Sequence, residues 1–137
     1  MSDLIVYFAF AGNCEEAMNF YKEVFGGEFT SKMTFAESPM PVPDEYKSKL
    51  MHIGLKTPAF TLMASDTMPD QPCIIGNNIS LTFSLSSEAE QDSFFEKLSV
   101  GGNITMPLQN TFWGARFGMI TDKFGINWML NYEAKKD

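Results

Sequence analysis

The sequence repeats itself after 75 residues, and this repeat limits the possible folds more than any other feature. When the first half of the chain is shifted by 75 residues, Phe8 falls on Phe83, and Gly26-Gly27 falls on Gly101-Gly102 without a gap. In each half, an apolar run with strand periodicity precedes a stretch with helical periodicity, and the glycine pair follows that stretch. The chain therefore predicts two copies of one supersecondary module.

The first copy is predicted to contain four strands and one helix. The helix runs from Cys14 to about Phe25, with Asn13 and Glu16 as a capping box at its start and Gly26-Gly27 at its end. The predicted strands cover residues 4–10, 28–35, 50–56 and 60–65.

The second copy begins in the same way and ends in a hairpin rich in aromatic residues. A strand is predicted at residues 78–85, and a helix with a second capping box, Ser87 and Glu90, runs from residue 88 to about 99. Strands 113–121 and 126–132 then flank a turn that has Asp at its first position and Gly at its fourth.

These elements predict an α+β fold of two βαβββ modules in a single domain over residues 1–137. Module 1 covers about 3–66, a linker covers 67–77, and module 2 covers about 78–133. One helix can cover only one face of each sheet, so the other face is expected to meet the sheet of the other module. Two curved mixed sheets would then enclose a cleft, which is the expected ligand site.

The composition favours a cytoplasmic protein that binds neither nucleic acid nor a membrane. The net charge is -7, and such an acidic chain is a poor partner for phosphate backbones and anionic lipids. The N-terminus lacks the basic start of a signal peptide, and no run approaches the roughly 20 apolar residues of a membrane span. Cys14 and Cys73 form no CxxC pattern and are expected to be free thiols.

Three ordered stretches resemble a known family. They are residues 10–21 (FAGNCEEAMNFY), 111–118 (TFWGARFG) and 121–130 (TDKFGINWML). All three are similar to the PhnB-like branch of the vicinal oxygen chelate superfamily, which includes glyoxalases, extradiol dioxygenases and bleomycin resistance proteins. Members of this branch are often labelled as related to 3-demethylubiquinone-9 3-methyltransferase. The resemblance implies the glyoxalase/bleomycin resistance fold and a homodimer.

The resemblance also implies a position for a metal ion, and this sequence departs from the pattern there. In metal-dependent members, His or Glu side chains from the first and last strands of each module hold a divalent ion. The matching positions in this chain are about Val6, then Met63, a residue within 78–81, and Met129. None of them offers an imidazole or a carboxylate, so we expect no metal site and no cofactor.

Two polar residues are candidates for chemistry in the cleft. His52, the only histidine, can act as a general base near neutral pH, or it is a structural histidine bonded to the backbone. Arg116, the only arginine, can bind an anionic ligand or pair with an acid across a dimer interface, or it forms a surface ion pair.

Ligand binding is expected to depend mainly on aromatic and thioether side chains. Trp113 and Trp128 are the aromatic residues most expected to reach the cleft. The predicted ligand-binding residues are Phe8, Phe10, Met63, Phe83, Phe112, Trp113, Arg116, Phe117, Trp128 and Met129.

Two functions remain open at this point. The first is the binding of a small apolar or aromatic molecule in a metal-free cleft. The second is an enzyme acting on a small metabolite, either with His52 or a carboxylate of the loop at 37–49 as a base, or with a metal ion in the manner of the glyoxalases, dioxygenases and resistance enzymes.

Overall fold

The computed structural model describes residues 2–134. The chain divides into two compact units with a boundary between Ile74 and Ile75, which lies inside the predicted linker. Unit 1 precedes this boundary and unit 2 follows it. Each unit contains one four-stranded mixed sheet and one long helix, so the predicted α+β class with two βαβββ modules is confirmed.

Unit 1 follows the predicted order of elements closely. It contains β1 (Val6–Phe10), α1 (Cys14–Phe25), β2 (Glu28–Thr34), β3 (Leu50–Lys56) and β4 (Thr61–Asp66). The strands lie in the order β1-β4-β3-β2, with β1 parallel to β4 and the other pairs antiparallel. Single-turn 3-10 helices at Phe35–Glu37 and Asp44–Tyr46 lie between β2 and β3.

Unit 2 repeats this topology. It contains β5 (Leu81–Leu85), α2 (Glu88–Leu98), β6 (Asn103–Asn110), β7 (Arg116–Thr121) and β8 (Asn127–Tyr132), in the sheet order β5-β8-β7-β6. The strand predicted from residue 113 begins later, at Arg116. The Thr111 amide donates to the Ala115 carbonyl over 2.8 Å and closes a turn in which Gly114 has a φ of 89°. Trp113 therefore lies in a loop.

The two helices begin in different ways. The Ser87 hydroxyl accepts the Glu90 amide at 3.0 Å, as predicted for α2. The capping box predicted for α1 is wrong, because the Asn13 side chain makes no capping bond. The Cys14 amide instead donates to Asp66 Oδ1 at 2.9 Å, and Oδ2 of this buried carboxylate accepts the Leu50 amide.

The second glycine of each pair allows the backbone to pass very close to a neighbouring strand. A Cβ atom added to Gly27 would lie 2.3 Å from the Lys56 carbonyl oxygen, and one added to Gly102 would lie 2.6 Å from that of Thr121. Both distances are far below van der Waals contact, so each position requires glycine. The repeated glycines thus hold the start of β2 or β6 against the end of the next strand.

Each unit buries its core between its helix and one face of its sheet. In unit 1, Cys14, Met18 and Tyr21 of the predicted helix stripe are fully buried. In unit 2, Leu98 and Leu130 are fully buried. Within residues 2–134, neither helix is long and apolar enough to cross a membrane.

Candidate functional site

Each sheet has one face covered by its helix and an opposite face that we call the helix-free face. Side chains alternate between the two faces along a strand. In β1, Phe8 and Phe10 are buried on the helix-covered face, whereas Tyr7 points the other way and is 51% exposed. The helix-free faces are therefore the surfaces of each sheet that its own helix leaves available for a ligand.

The helix-free face of unit 1 carries a hydrogen-bonded pair, Tyr7 and His52. Their strands, β1 and β3, are separated by β4, and the two side chains meet above it. The Tyr7 hydroxyl lies 3.2 Å from His52 Nδ1, and the ring centroids are 5.8 Å apart. In the strand register, Met63 is the neighbour of Tyr7 and Met33 is the neighbour of His52, so the pair has uncharged side chains beside it.

The helix-free face of unit 2 carries three neighbouring thioethers. Met106 pairs in register with Met119, and Met119 pairs with Met129, so the three residues cross β6, β7 and β8 in a line that we call the methionine row. Thr82 of β5 continues this line, and its hydroxyl lies 3.6 Å from the Met129 sulfur. All three methionines are half-buried.

An aromatic cluster stands next to the methionine row. Phe117 shares the helix-free face with Met119, two residues along β7. The Trp113 ring lies edge-on to Phe117 with a centroid separation of 5.9 Å, and Phe112 packs edge-on against Trp113 at 5.0 Å. Trp113 is 52% exposed and Phe112 is 98% exposed. The loop before β7 thus leaves the ring surfaces of Phe112 and Trp113 exposed.

Trp128 and Phe83 lie on the other face of the same sheet. Their rings stack at 5.5 Å with an angle of 9°, and Phe83 also packs against Phe94 of α2. Trp128 is buried, and its indole N–H donates to Asp122 Oδ2 at 2.8 Å. Asp122 also accepts two backbone amides of the β7–β8 turn, as expected for a turn aspartate. Trp113 is therefore in the exposed loop before β7, whereas Trp128 is in the core of unit 2.

Arg116 is engaged by acids of α2. Its guanidinium lies 2.8 Å from Asp92 and 3.6 Å from Glu88. Nη1 also donates to the side-chain oxygen of Gln91 at 3.1 Å, while the Gln91 amide donates to the carbonyls of Arg116 and Leu130. This arrangement matches the ion-pair alternative and ties α2 to its sheet.

The strand register shows which residues lie beside Met63 and Met129 on the helix-free faces. The Val6 side chain is on the helix-covered face of β1. On the helix-free face, the residue of β1 that lies beside Met63 is Tyr7. Likewise, the helix-free neighbour of Met129 is Thr82. The first and last strands of each unit thus contribute one hydroxyl and one thioether, and this donor set suits neither Zn²⁺ nor the harder divalent ions.

Among residues 2–134, no three His, Cys, Asp or Glu side chains lie close enough together to hold an ion. The metal site of the family therefore does not fit the described part of the chain.

Of these residues, Met129 was predicted from the sequence, whereas Tyr7, Met106 and Met119 were not. Alternation gives a signal for Tyr7: if Phe8 and Phe10 pack beneath the helix, the residue between Val6 and Phe8 must face the opposite side. Met106 and Met119 give no such signal, because their alignment depends on irregular pairing between β6 and β7.

The Cys14 thiol is not a nucleophile at neutral pH. Burial raises the pKa of the Cys14 thiol from 9.0 to about 12, with further contributions from Asp66 and Glu15. A thiol with such a pKa stays protonated and unreactive at neutral pH. Cys73 is partly exposed, and its sulfur lies 3.3 Å from the Ala9 carbonyl oxygen.

With this geometry established, the chain can be compared with known proteins. A family profile described as Glyoxalase/Bleomycin resistance protein/Dioxygenase superfamily matches residues 4–130. The chain belongs to this superfamily. Protein YjdN of Escherichia coli K12 is 31% identical over 135 residues, and the match covers 91% of each chain.

Two solved structures extend the comparison. Protein PA1353 from Pseudomonas aeruginosa is 40% identical, with a TM-score of 0.89 over 98% of this chain and 100% of that one. A Bacillus cereus protein, described as a putative 3-demethylubiquinone-9 3-methyltransferase and PhnB protein, is 27% identical. Its TM-score is 0.81 over 96% of this chain and 99% of that one, which confirms the predicted PhnB-like resemblance.

Proposed function

We propose that this PhnB-like chain binds a small apolar or aromatic molecule and does so without a divalent metal ion. The observation that carries the proposal is the helix-free face of unit 2, where Phe117 and the half-exposed Trp113 stand beside the methionine row. A flat ligand would stack on these rings and cover the thioethers.

The residue types on this face suit an apolar ligand. Aromatic rings supply large contact areas at a small entropic cost, and ring pairs contribute about 0.5–1.5 kcal/mol beyond area burial. Methionine side chains are flexible and polarisable, so they adapt to ligands of varied outline. Thr82 and Asn131 add hydrogen-bonding groups at the side of this apolar surface, which is the usual composition of a small-molecule site.

The metal-free part of the proposal depends on donor chemistry. In the strand register, Tyr7 lies beside Met63 and Thr82 lies beside Met129 on the helix-free faces. A metal-dependent reaction on this scaffold would need imidazole or carboxylate ligands at these places. The binding function is therefore better supported than the metal-dependent enzyme.

Fluorescence of the neutral dye N-phenyl-1-naphthylamine tests the binding proposal. We expect saturable binding at one site per chain, and we expect Phe117→Ala to weaken it about tenfold through lost ring contact. Ile104→Ala is the matched control, because Ile104 is half-exposed but pairs in register with Ile120 of the helix-covered face. Binding that is absent, or that both variants weaken equally, would contradict the proposal.

We also propose that the chain is a cytoplasmic homodimer. The support is the exposed apolar loop before β7, in which Phe112 is 98% exposed. Light scattering on the purified protein should give twice the chain mass, and Phe112→Ser should weaken the association. A monomer at all concentrations would contradict this expectation.

A further inference from the structure

The Tyr7–His52 hydrogen bond determines which nitrogen of His52 is available to a ligand. A neutral imidazole has one N–H donor and one acceptor nitrogen, and the partner of one nitrogen sets the role of the other. The Tyr7 hydroxyl is the side-chain partner of Nδ1, at a distance of 3.2 Å. The direction of this hydrogen bond therefore decides whether Nε2 is a base or a donor.

The chemistry of the two groups favours donation from the phenol. A phenol O–H is a good donor and its oxygen a weak acceptor, whereas the unprotonated imidazole nitrogen is a strong acceptor. With Nδ1 occupied as an acceptor, the proton of the neutral ring is on Nε2. If the ring gains a second proton, both nitrogens carry hydrogen and Nε2 remains a donor.

We propose that His52 Nε2–H binds an acceptor oxygen of a small molecule at the helix-free face of unit 1, such as a carbonyl, carboxylate or sulfonate oxygen, and that Tyr7 is the positioning residue that holds this tautomer. The inference rests on the proposed small-molecule function and adds to it a class of ligand for unit 1, namely molecules that carry such an oxygen. It also assigns His52 a donor role in place of the general-base role considered from the sequence.

The surroundings of the pair agree with an oxygen ligand. Tyr7 is half-exposed and His52 is partly exposed, so a small molecule can reach the imidazole edge. The register neighbours Met33 and Met63 carry no charge, so they do not repel an anionic oxygen. No salt bridge within residues 2–134 involves His52, which leaves Nε2 without an acidic competitor.

Nitrogen NMR of the imidazole tests the donor role directly and needs no ligand. His52 is the only histidine in the 137 residues, so a ¹⁵N-labelled sample gives a single imidazole spin system. We expect the Nε2–H tautomer, and we expect the Nδ1 resonance to move towards that of a free acceptor nitrogen in Tyr7→Phe. An Nδ1–H tautomer would overturn the inference. So would an Nδ1 chemical shift that is the same in the wild type and in Tyr7→Phe.

Two matched dyes test recognition of the oxygen. The dye 1-anilino-8-naphthalenesulfonate shares the ring system of N-phenyl-1-naphthylamine and adds a sulfonate. We expect His52→Phe to weaken the sulfonate dye about tenfold, the loss of one hydrogen bond to a charged group, and to leave the neutral dye unchanged. Equal effects on both dyes, or no effect on either, would overturn oxygen recognition.

The outcomes separate the two proposals. Binding of the neutral dye without any effect of His52→Phe on the sulfonate dye would leave the proposed function intact and reject the inference. Failure of the wild type to bind either dye would reject the proposed function and, with it, the inferred class of oxygen-bearing ligands. The tautomer measurement reports on Tyr7 and His52 in either case.

Discussion

The two units build the same sheet but place different chemistry on its helix-free face. Phe8 of unit 1 pairs with Ala64, and Phe83 of unit 2 pairs with Leu130, which aligns the two sheets residue by residue. Tyr7 then corresponds to Thr82, the residue before Phe83 in β5. Unit 1 thus has a ring hydroxyl at a position where unit 2 has a small hydroxyl.

The third strand of each unit shows a larger difference. Ile53 pairs with Ala64 and Gly118 with Leu130, so the preceding residues, His52 and Phe117, occupy equivalent positions. One unit has an imidazole that hydrogen-bonds to a tyrosine, and the other has a phenyl ring beside a tryptophan. The helix-free face of unit 1 thus carries a polar pair, whereas that of unit 2 carries apolar rings at the equivalent positions.

The comparison distinguishes the residues that determine the fold, which both units share, from the residues on the helix-free faces, which differ. The glycine pair that ends each helix and the apolar helix-covered face recur in both units. The helix-free faces do not repeat, although the backbone around them does. Residues that determine the backbone are therefore shared, and residues that we assign to binding are not.

The largest expected effect concerns the shared glycines. Gly27→Ala should lower the free energy of unfolding by more than about 3 kcal/mol, because it combines a φ of 95° with a Cβ 2.3 Å from the Lys56 oxygen. Gly26→Ala, with a φ of 77° and no atom within 4 Å of its Cβ, should cost only about 1–2 kcal/mol. Denaturant unfolding measures both, and equal losses would contradict the close approach.

Each unit also has its own buried carboxylate, and these should come next in effect. Asp66→Asn and Asp122→Asn should each lower the free energy of unfolding by about 2–3 kcal/mol, since each removes charge-assisted hydrogen bonds. Only Asp122→Asn should change the near-ultraviolet signal of Trp128, because Asp66 lies in unit 1. A change of that signal in both variants would contradict the assignment of Asp122 alone as the hydrogen-bond partner of Trp128.

These two predictions also indicate what the sequence can and cannot reveal. Helix α1 and strand β3 have the predicted bounds, because periodicity and the glycine pair are local signals. The capping side chain of α1 was mispredicted as Asn13, because Asp66, 52 positions from Cys14, accepts the Cys14 amide. Contacts at such a separation leave no trace in local sequence patterns.

The candidate site was harder to predict than the fold. Residue type selected Phe117 and Trp113, and it also selected Trp128 and Phe83, which pack on the helix-covered face. Face assignment requires the strand register, and the bulges between β6 and β7 alter that register. Aromatic content therefore predicts that one face of the sheet carries aromatic rings. It does not predict which of the rings lie on that face.

An exchange at equivalent positions sharpens the comparison of the helix-free faces. Phe117→His should weaken the neutral dye about tenfold, because an imidazole offers less apolar area and adds polar atoms that lose hydration on binding. Its counterpart His52→Phe should leave the neutral dye unchanged. Titrations of both variants by dye fluorescence measure this, and equal losses would show that the two faces do not differ in their preferences.

The last expected effect concerns Cys14 and is confined to alkaline solution. The folded thiol has a pKa of about 12 owing mainly to burial, whereas an exposed thiol in the unfolded chain ionises near 9.0. As the pH rises from about 9 to 12, the unfolded chain loses this proton and the folded chain keeps it, so folding stability falls. Denaturant midpoints should therefore fall further over this range for the wild type than for Cys14→Ala, and parallel curves would contradict the raised pKa.

The most direct test of the account is a metal titration of untagged, chelator-treated protein, followed by dye binding with and without each ion. We predict no stoichiometric binding of Zn²⁺, Ni²⁺, Mn²⁺ or Fe²⁺ by calorimetry, and the same affinity for N-phenyl-1-naphthylamine under all conditions. Tight binding of one ion per chain, with dye affinity that depends on it, would contradict the proposal that apolar side chains bind the ligand without a metal.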